Sequence, residues 1–174
     1  MDPLYKIRPA AADDAEAIRA IRNDVIEHST AMWTTKLLTP GDGQAWLEEN
    51  LARRSAYVVE ASGDVIGFAS WSPWRPKDGY RHTVEDSLYL SAGHQGRGIG
   101  TELLAVLITA AAQSGAHVMM ASIEATNAPS VALHSRLGFE LVGTAREVGH
   151  KFGRWLDLTI MRLALSALDG LAGC

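Results

Sequence analysis

The sequence lacks several features that would assign it to a special class of protein. Its 174 residues include one cysteine, Cys174, so no internal disulfide is possible, and no CxxC pair or Cys/His cluster indicates a zinc site. Its longest apolar stretch, residues 103–112, is interrupted by Thr109 and is far shorter than the roughly 20 residues that span a bilayer. The N-terminus has no charged-then-apolar signal pattern. We therefore expect a soluble, cytoplasmic protein with no metal cofactor.

An excess of positive charge is also absent. Sixteen Lys and Arg residues against twenty Asp and Glu residues give a formal net charge of −4, and no basic block occurs. Non-specific binding to nucleic acids depends on neutralising phosphates with basic side chains. We therefore expect neither nucleic acid nor an anionic membrane as a partner.

The chain does contain enough apolar material for a complete core, because 47% of its residues are hydrophobic. A chain of this length usually forms one domain. We expect a single domain over residues 1–165 and a flexible C-terminal tail over residues 166–174, which are mostly small and include two glycines.

The spacing of apolar residues predicts a mixture of strands and helices. Strands are predicted at 5–8, 56–61, 65–71, 83–91, 117–124, 139–148 and 155–163. Helices are predicted from the pair Asp13 and Asp14 to His28, and at 42–53, 101–114 and 127–137. The order βααβββαβαββ predicts an α/β fold in which helices cover the faces of a mixed sheet.

The most informative segment is a glycine-rich turn between a strand and a helix. Four glycines fall within eight residues, at positions 93, 96, 98 and 100. Amides without a neighbouring Cβ can surround an anion, and the N-terminus of the next helix adds aligned N–H dipoles. Neither GxxxxGK[ST] nor GxGxxG is present; the pattern is Gln95-x-x-Gly98-x-Gly100. A turn that only makes a sharp corner would not need four glycines, each with an entropic cost.

This pattern resembles the acetyl-CoA-binding loop of the GCN5-related N-acetyltransferase (GNAT) family, and the order of elements is similar over residues 5–163. The resemblance implies acetyl-CoA as co-substrate and a mostly antiparallel central sheet flanked by helices. It also implies that the backbone of one strand binds the pantetheine and that the loop binds the diphosphate. The implied residues are Leu88, Tyr89 and Leu90, then Gln95, Gly96, Arg97, Gly98, Ile99, Gly100 and Thr101.

A second segment, Asn127 to Phe139, is similar to the family's Asn…Tyr…Gly-Phe helix. The resemblance implies that Asn127 and Ser130 contact the cofactor. His134 stands where the family has the tyrosine that protonates the departing thiolate. Three interpretations of His134 remain open: a hydrogen-bonded helix histidine, a proton donor to the CoA thiolate, or a second proton acceptor.

Three further segments look like the phosphinothricin and methionine sulfoximine N-acetyltransferases. They are Tyr80-Arg-His-Thr-Val-Glu85, Val131-Ala-Leu-His134 and Gly149-His-Lys-Phe-Gly-Arg-Trp-Leu-Asp157. Those enzymes acetylate the α-amine of amino acids that carry a tetrahedral phosphorus or sulfur. The resemblance implies a homodimer and implies Glu85 and His134 as the acid/base pair.

The chemistry of Glu85 supports this assignment independently. A carboxylate on a central strand is costly to bury unless it is paired or functional. It would attract a substrate ammonium group and take its proton, directly or through a water molecule. The alternative is an edge-strand glutamate paired with Arg81 or Lys77.

Guanidinium groups are best suited to bind the carboxylate and tetrahedral oxygens of such a substrate. The resemblance favours Arg75, with Lys77 and Tyr80 in the same loop, and Trp33 would wall the side-chain pocket. For each of these, a solvated charge or a core aromatic remains the alternative.

We therefore expect an acyltransferase that moves the acetyl group of acetyl-CoA to the α-amine of a small amino-acid-like substrate. The substrate would be of the phosphinothricin, methionine sulfoximine or methionine sulfone type, and the amine would attack directly in a ternary complex. A polyamine or protein N-terminal acetyltransferase is the alternative within enzymes. A non-catalytic acyl-CoA sensor is the alternative outside them, and it would not need Glu85.

Overall fold

The order of helices and strands confirms the sequence prediction. The structure, a computed structural model, describes residues 5–165, so the predicted tail at 166–174 lies outside the described residues. The helices are α1 Ala15–His28, α2 Pro40–Arg53, α3 Ile99–Gln113 and α4 Ala128–Arg136. The strands are β1 Lys6–Pro9, β2 Ala56–Ala61, β3 Asp64–Pro73, β4 Thr83–Leu90, β5 Val118–Glu124, β6 Glu140–Lys151 and β7 Arg154–Ala164.

The strands form one mixed sheet in the order β1-β2-β3-β4-β5-β7-β6. Pairing is antiparallel for β1 with β2, β2 with β3, β5 with β7 and β6 with β7. The β4–β5 pair is parallel, with register from Thr83↔Val118 to Glu85↔Met120. The mixed, mostly antiparallel sheet is therefore confirmed. Because β4 is an interior strand, Glu85 does not lie on a sheet edge.

The chain packs as two compact units, and the first has its own aromatic core. It comprises residues up to Ser70 together with 87–107. Apolar residues of α1, α2, β2 and β3 form this core, including Ile18, Leu47, Val58 and Phe68. The Phe68 ring lies 5.6 Å from the ring of Trp46 and 5.5 Å from that of Tyr89.

The second unit comprises residues 71–86 together with 108 onward. Its core includes Met119 and Ile123 of β5 and Met161 of β7, all buried. The sequence predicts β5 to be central because the strand is mostly apolar, and its position between β4 and β7 confirms this. The single domain expected over 1–165 stays a prediction.

Local hydrogen bonds explain where α1 and α2 begin. The helix α2 starts two residues before the predicted Asp42 because Thr39 caps it. The Asp42 amide donates to Thr39 Oγ1 at 3.2 Å, and the Thr39 amide donates to Asp42 Oδ2 at 2.9 Å. The helix α1 begins after Asp14, whose carboxylate makes no capping bond to α1, because it accepts hydrogen bonds from Arg8 and from the Ala11 amide, both at 2.7 Å.

The predicted loop at 149–154 is mostly strand. Strand β6 continues to Lys151 and β7 begins at Arg154, so the turn consists of Phe152 and Gly153. Both turn residues have positive φ, 52° and 74°, which is typical of the tight turn that matches strand twist. A phenylalanine in the first turn position hides this signal, since Asn or Asp is usual there.

Among the described residues, no helix is long and apolar enough to cross a membrane.

Candidate active site

The glycine-rich loop follows β4 and needs glycine for conformational reasons. Gly93, Gly96 and Gly98 have φ values of 84°, 74° and 83°. A Cβ at any of the three would meet nothing within 4 Å, so the backbone conformation, not crowding, requires glycine. All three are exposed. The loop therefore offers an accessible backbone with few side-chain obstructions.

The loop leads directly into the N-terminus of α3. This helix begins at Ile99, two residues before the prediction, and the Thr101 and Glu102 amides donate to the Gly98 carbonyl at 3.0 and 3.2 Å. Gln95 Nε2 donates to the Leu90 carbonyl at 3.4 Å, which connects the loop to the end of β4. A loop followed by a helix N-terminus suits a diphosphate. Arg97 is exposed beside it.

Gly67 of β3 is a residue near this region that the sequence analysis missed. A Cβ at Gly67 would come within 2.9 Å of the Tyr89 carbonyl oxygen, so glycine allows close approach of the β3 and β4 backbones. The Tyr89 ring packs on Phe68, 5.5 Å away. The predicted cofactor contacts of Leu88, Tyr89 and Leu90 stay predictions, and Tyr89 would make its contact through the backbone.

In the second unit, Glu85 lies on β4 and Ser122 on the adjacent β5. The Ser122 hydroxyl donates to Glu85 Oε1, and Ser122 is exposed although its strand is interior. Burial raises the pKa of Glu85 above its ordinary value, and the negative charge of Asp86 raises it further. The hydrogen bond from Ser122 and the charge of Arg75 act in the opposite direction. A carboxylate with a raised pKa is better matched to proton transfer near neutral pH.

In the loop before β4, a guanidinium group and an aromatic ring both pack against the ring of Trp74. The Arg75 guanidinium lies 4.5 Å from the Trp74 ring centroid, and the Tyr80 ring lies edge-on at 5.2 Å. Lys77 is exposed. Arg81 Nη1 donates to the Asp78 carbonyl at 3.2 Å, so the nearby cation for Glu85 is Arg75 rather than Arg81. The sequence analysis missed Trp74 as the ring shared by Arg75 and Tyr80.

His134 lies on α4 with both ring nitrogens engaged and only 4% of the residue exposed. Its Nδ1 is 2.8 Å from the Ser130 carbonyl oxygen, and its Nε2 is 3.1 Å from Asp86 Oδ2. The Phe139 ring packs edge-on against the imidazole at 4.9 Å. Burial lowers the pKa of His134, but the hydrogen bond and charge of Asp86 outweigh it, so the pKa is raised.

Asp86 is the functional candidate that the sequence analysis overlooked, although a signal for it existed. Alternation along β4 places Asp86 on the face opposite Glu85, and a buried aspartate requires a partner. The identity of that partner, 48 positions later on α4, could not be read from local spacing.

The remaining predicted residues have separate local roles. Asn127 caps α4, because its Oδ1 accepts from the Ser130 amide at 3.2 Å. The contacts of Asn127 and Ser130 with the cofactor stay predictions. Trp33 is half-buried in the segment between α1 and α2. Over residues 5–165, no three His, Cys, Asp or Glu side chains are grouped so as to hold a metal ion.

Comparison with known proteins agrees with these features. Residues 18–139 match the model of the acetyltransferase (GNAT) family. The chain is 45% identical to an L-methionine sulfoximine/L-methionine sulfone acetyltransferase of Pseudomonas aeruginosa, over 91% of this chain and 94% of that one. It is 35% identical to a phosphinothricin N-acetyltransferase of Streptomyces coelicolor, over 88% and 92%.

A solved structure is similar over the same extent. An acetyltransferase from Salmonella typhimurium, determined with its cofactor acetyl-CoA, superimposes with a TM-score of 0.90 at 43% identity. The alignment covers 92% of this chain and 94% of that one. The chain belongs to the GNAT family. It is an acetyl-CoA-dependent N-acetyltransferase, as the sequence predicts.

Proposed function

We propose that the chain acetylates the α-amine of a small amino-acid-like substrate of the phosphinothricin, methionine sulfoximine or methionine sulfone type. The observation that carries this proposal is the pairing of charges around Glu85. An α-amino acid presents an ammonium group and a carboxylate a few ångströms apart. Glu85 supplies an anion for the first, and Arg75, close enough to influence the pKa of Glu85, supplies a guanidinium for the second.

The reaction is direct transfer in a ternary complex. The substrate ammonium gives a proton to Glu85, and the freed lone pair attacks the thioester carbonyl carbon. Attack leaves the nitrogen positively charged with one surplus proton. As the tetrahedral intermediate collapses, the C–S bond breaks, and the surplus proton passes from nitrogen to the departing CoA thiolate, directly or through water. The N-acetyl product and CoA leave, and Glu85 returns its proton to solvent. The raised pKa of Glu85 favours the proton transfer, since burial brings its proton affinity closer to that of an amine.

The cofactor loop supplies the second part of the proposal. The loop and helix start from Gln95 to Thr101 would surround the diphosphate and bind it mainly through backbone amides, and the backbone from Leu88 to Leu90 would bind the pantetheine. Exposure of the loop glycines and the helix N-terminus that follows them support this assignment. Backbone amides hold an anion without a basic surface, which fits a chain with a net charge of −4.

The names of the relatives support the same class of acceptor. The Pseudomonas aeruginosa relative is named for methionine sulfoximine and methionine sulfone, and the Streptomyces coelicolor relative for phosphinothricin. All three acceptors are amino acids with a tetrahedral centre in the side chain. We further propose that the chain is a cytoplasmic homodimer. Exposed apolar side chains on β6 and β7, including Leu141 at 65% and Trp155 at 64% exposure, support the dimer.

Steady-state kinetics with a thiol readout test the proposal. Methionine sulfoximine and phosphinothricin should be acetylated with higher kcat/KM than spermidine or a peptide with a free N-terminus. Glu85→Gln should lower kcat on the order of 10²- to 10³-fold and leave the affinity for acetyl-CoA nearly unchanged. Glu140→Gln, at an exposed glutamate on β6, is the control and should retain activity.

Two results would contradict the proposal. Preferred turnover of spermidine or the peptide would indicate the alternative acceptors. Acetyl-CoA binding without turnover of any amine would indicate a sensor of acyl-CoA.

A further inference from the structure

The two ring nitrogens of His134 face different kinds of partner. The Ser130 carbonyl oxygen can only accept a hydrogen bond, so Nδ1, at 2.8 Å, carries a proton. Nε2 shares a second proton with Asp86 Oδ2 at 3.1 Å. His134 therefore offers no lone pair to a third group. With 4% of the residue exposed, it also offers no accessible N–H.

Asp86 depends on His134 for its only hydrogen-bond donor in the described chain. Its Oδ2 accepts from His134, and its buried Oδ1 has no hydrogen-bond partner among residues 5–165. A buried carboxylate with one unsatisfied oxygen is costly as an anion unless a positive charge lies beside it. The charge that can meet this need is an imidazolium at His134.

We propose that Asp86 and His134 form a buried ion pair that sets the charge next to Glu85, and that His134 is a positioning residue which exchanges no proton with substrate or CoA. The inference rests on the proposed function in one respect, namely that Glu85 is the base. It gives a role to Asp86 and decides among the three interpretations of His134.

The pair acts on Glu85 through charge. Asp86 is the next residue on β4, and its negative charge raises the pKa of Glu85. The imidazolium compensates that charge, so the pair as a whole is neutral. The other groups facing Glu85 are the Ser122 hydroxyl from β5 and the Arg75 guanidinium from the preceding loop. The proton affinity of Glu85 thus depends on His134 remaining beside Asp86.

Three variants test this dependence. The quantity measured is the midpoint of the acidic limb in the pH profile of kcat/KM, which reports the pKa of Glu85. His134→Gln leaves Asp86 uncompensated and should move the limb up by about 1 pH unit. Asp86→Asn removes the negative charge, and because the imidazole then loses its proton, both positions are neutral and the limb should stay close to that of the unsubstituted protein. The double variant is neutral at both positions, so its limb should return towards that of the unsubstituted protein.

The double variant separates this role from acid catalysis. If the pair only sets charge, kcat/KM of the double variant should exceed that of His134→Gln by up to about tenfold on the acidic side of the limb, because a larger fraction of Glu85 is ionised there. If His134 is the proton donor to the thiolate, kcat should stay equally low in both variants and the limb should not return. The latter result would overturn the proposal. Circular dichroism and acetyl-CoA affinity confirm that each variant is folded.

A measurement without turnover keeps this test independent of the proposed function. In ¹⁵N NMR spectra, the His134 signals are those missing from His134→Gln. Both ring nitrogens should be protonated at pH 7 in the unsubstituted protein, and one should lose its proton in Asp86→Asn. A neutral imidazole in the unsubstituted protein would contradict the ion pair. Absence of acetylation of every amine, with a protonated His134, would contradict the proposed function alone.

Discussion

Arg8 is a single side chain that holds three segments of the first unit together. Its Nη1 and Nη2 donate to the two carboxylate oxygens of Asp14 at 2.7 and 2.9 Å, and its Nε donates to Glu60 at 2.8 Å. Asp14 is only 6% exposed. Solvent therefore screens the Arg8–Asp14 ion pair only weakly, and loss of Arg8 would leave the buried Asp14 carboxylate without its main partner.

Arg8→Met should lower the free energy of unfolding by about 2–4 kcal/mol at pH 7, measured by urea denaturation. The hydrogen bond from Arg8 lowers the pKa of Asp14 below its usual 3.8. The stabilisation is therefore complete above pH 3.8 and is lost as the pH falls through the lower folded value, so the two proteins should converge in acid.

Arg53→Met is the matched control, because its ion pair with Glu49 is exposed and 3.8 Å long. It should change stability by less than about 0.5 kcal/mol. An equal loss of unfolding free energy in both variants would show that the buried Arg8 network stabilises the fold no more than an exposed ion pair does.

Single residues also show what the sequence reveals about the site. Glu85 was recognisable because an acidic residue on a central strand is costly to bury unless it is paired or functional. Asp86 carries the same signal, but its partner does not, because the pairing depends on α4 presenting His134. Ser122 was not recognisable, because its role depends on β5 lying beside β4. These are contacts over 37 and 48 positions, and local spacing carries no information about them.

Among the elements, the glycine loop allows a sharp experiment with an internal control. Gly98 and Gly63 have φ values of 83° and 90°, and a Cβ at either would meet nothing within 4 Å. Substitution by alanine should therefore strain both backbones equally, by about 1 kcal/mol. Gly98 lies in the glycine-rich loop, whereas Gly63 lies in the turn between β2 and β3.

Gly98→Ala should weaken acetyl-CoA binding by about tenfold or more, because the strained amides no longer fit the diphosphate. Gly63→Ala should lose similar stability and keep its affinity. Isothermal titration calorimetry and thermal unfolding measure the two quantities. Equal affinities in the two variants would argue against the loop as the diphosphate site.

Elements were predictable in type and order because hydrophobic periodicity and glycine positions are local signals. Their ends were less so. Thr39 starts α2 through a reciprocal pair of hydrogen bonds with Asp42, and this cap competes with the apolar pattern that suggests a later start. The β6–β7 turn is short because Phe152 adopts a conformation that non-glycine residues rarely take.

At the scale of the whole molecule, the β6–β7 hairpin exposes apolar surface at one end of the sheet. Leu141, Val142, Val148, Phe152 and Trp155 are each more than half exposed, and β6 is the last strand in the order. Exposed apolar edge strands tend to be covered by another chain. This arrangement supports the proposed pairing of two copies.

Leu141→Lys should shift the protein from dimer to monomer in sedimentation velocity experiments at micromolar concentration, because a desolvated lysine is costly at an interface. Val106→Lys, at an isolated exposed apolar residue of α3, is the control and should leave the dimer intact. A monomeric unsubstituted protein would contradict the proposed homodimer.

The accessible backbone of the glycine loop has a further consequence, for proteolysis. Arg97 is exposed, and the bond that follows it leads into Gly98 with no bulky side chain to hinder a protease. Exposed loops of small residues are preferred sites of nicking. A ligand that occupies the amides of this loop would cover the same bond. We therefore expect a trypsin-like protease to cut after Arg97 more slowly when acetyl-CoA is present than when it is absent.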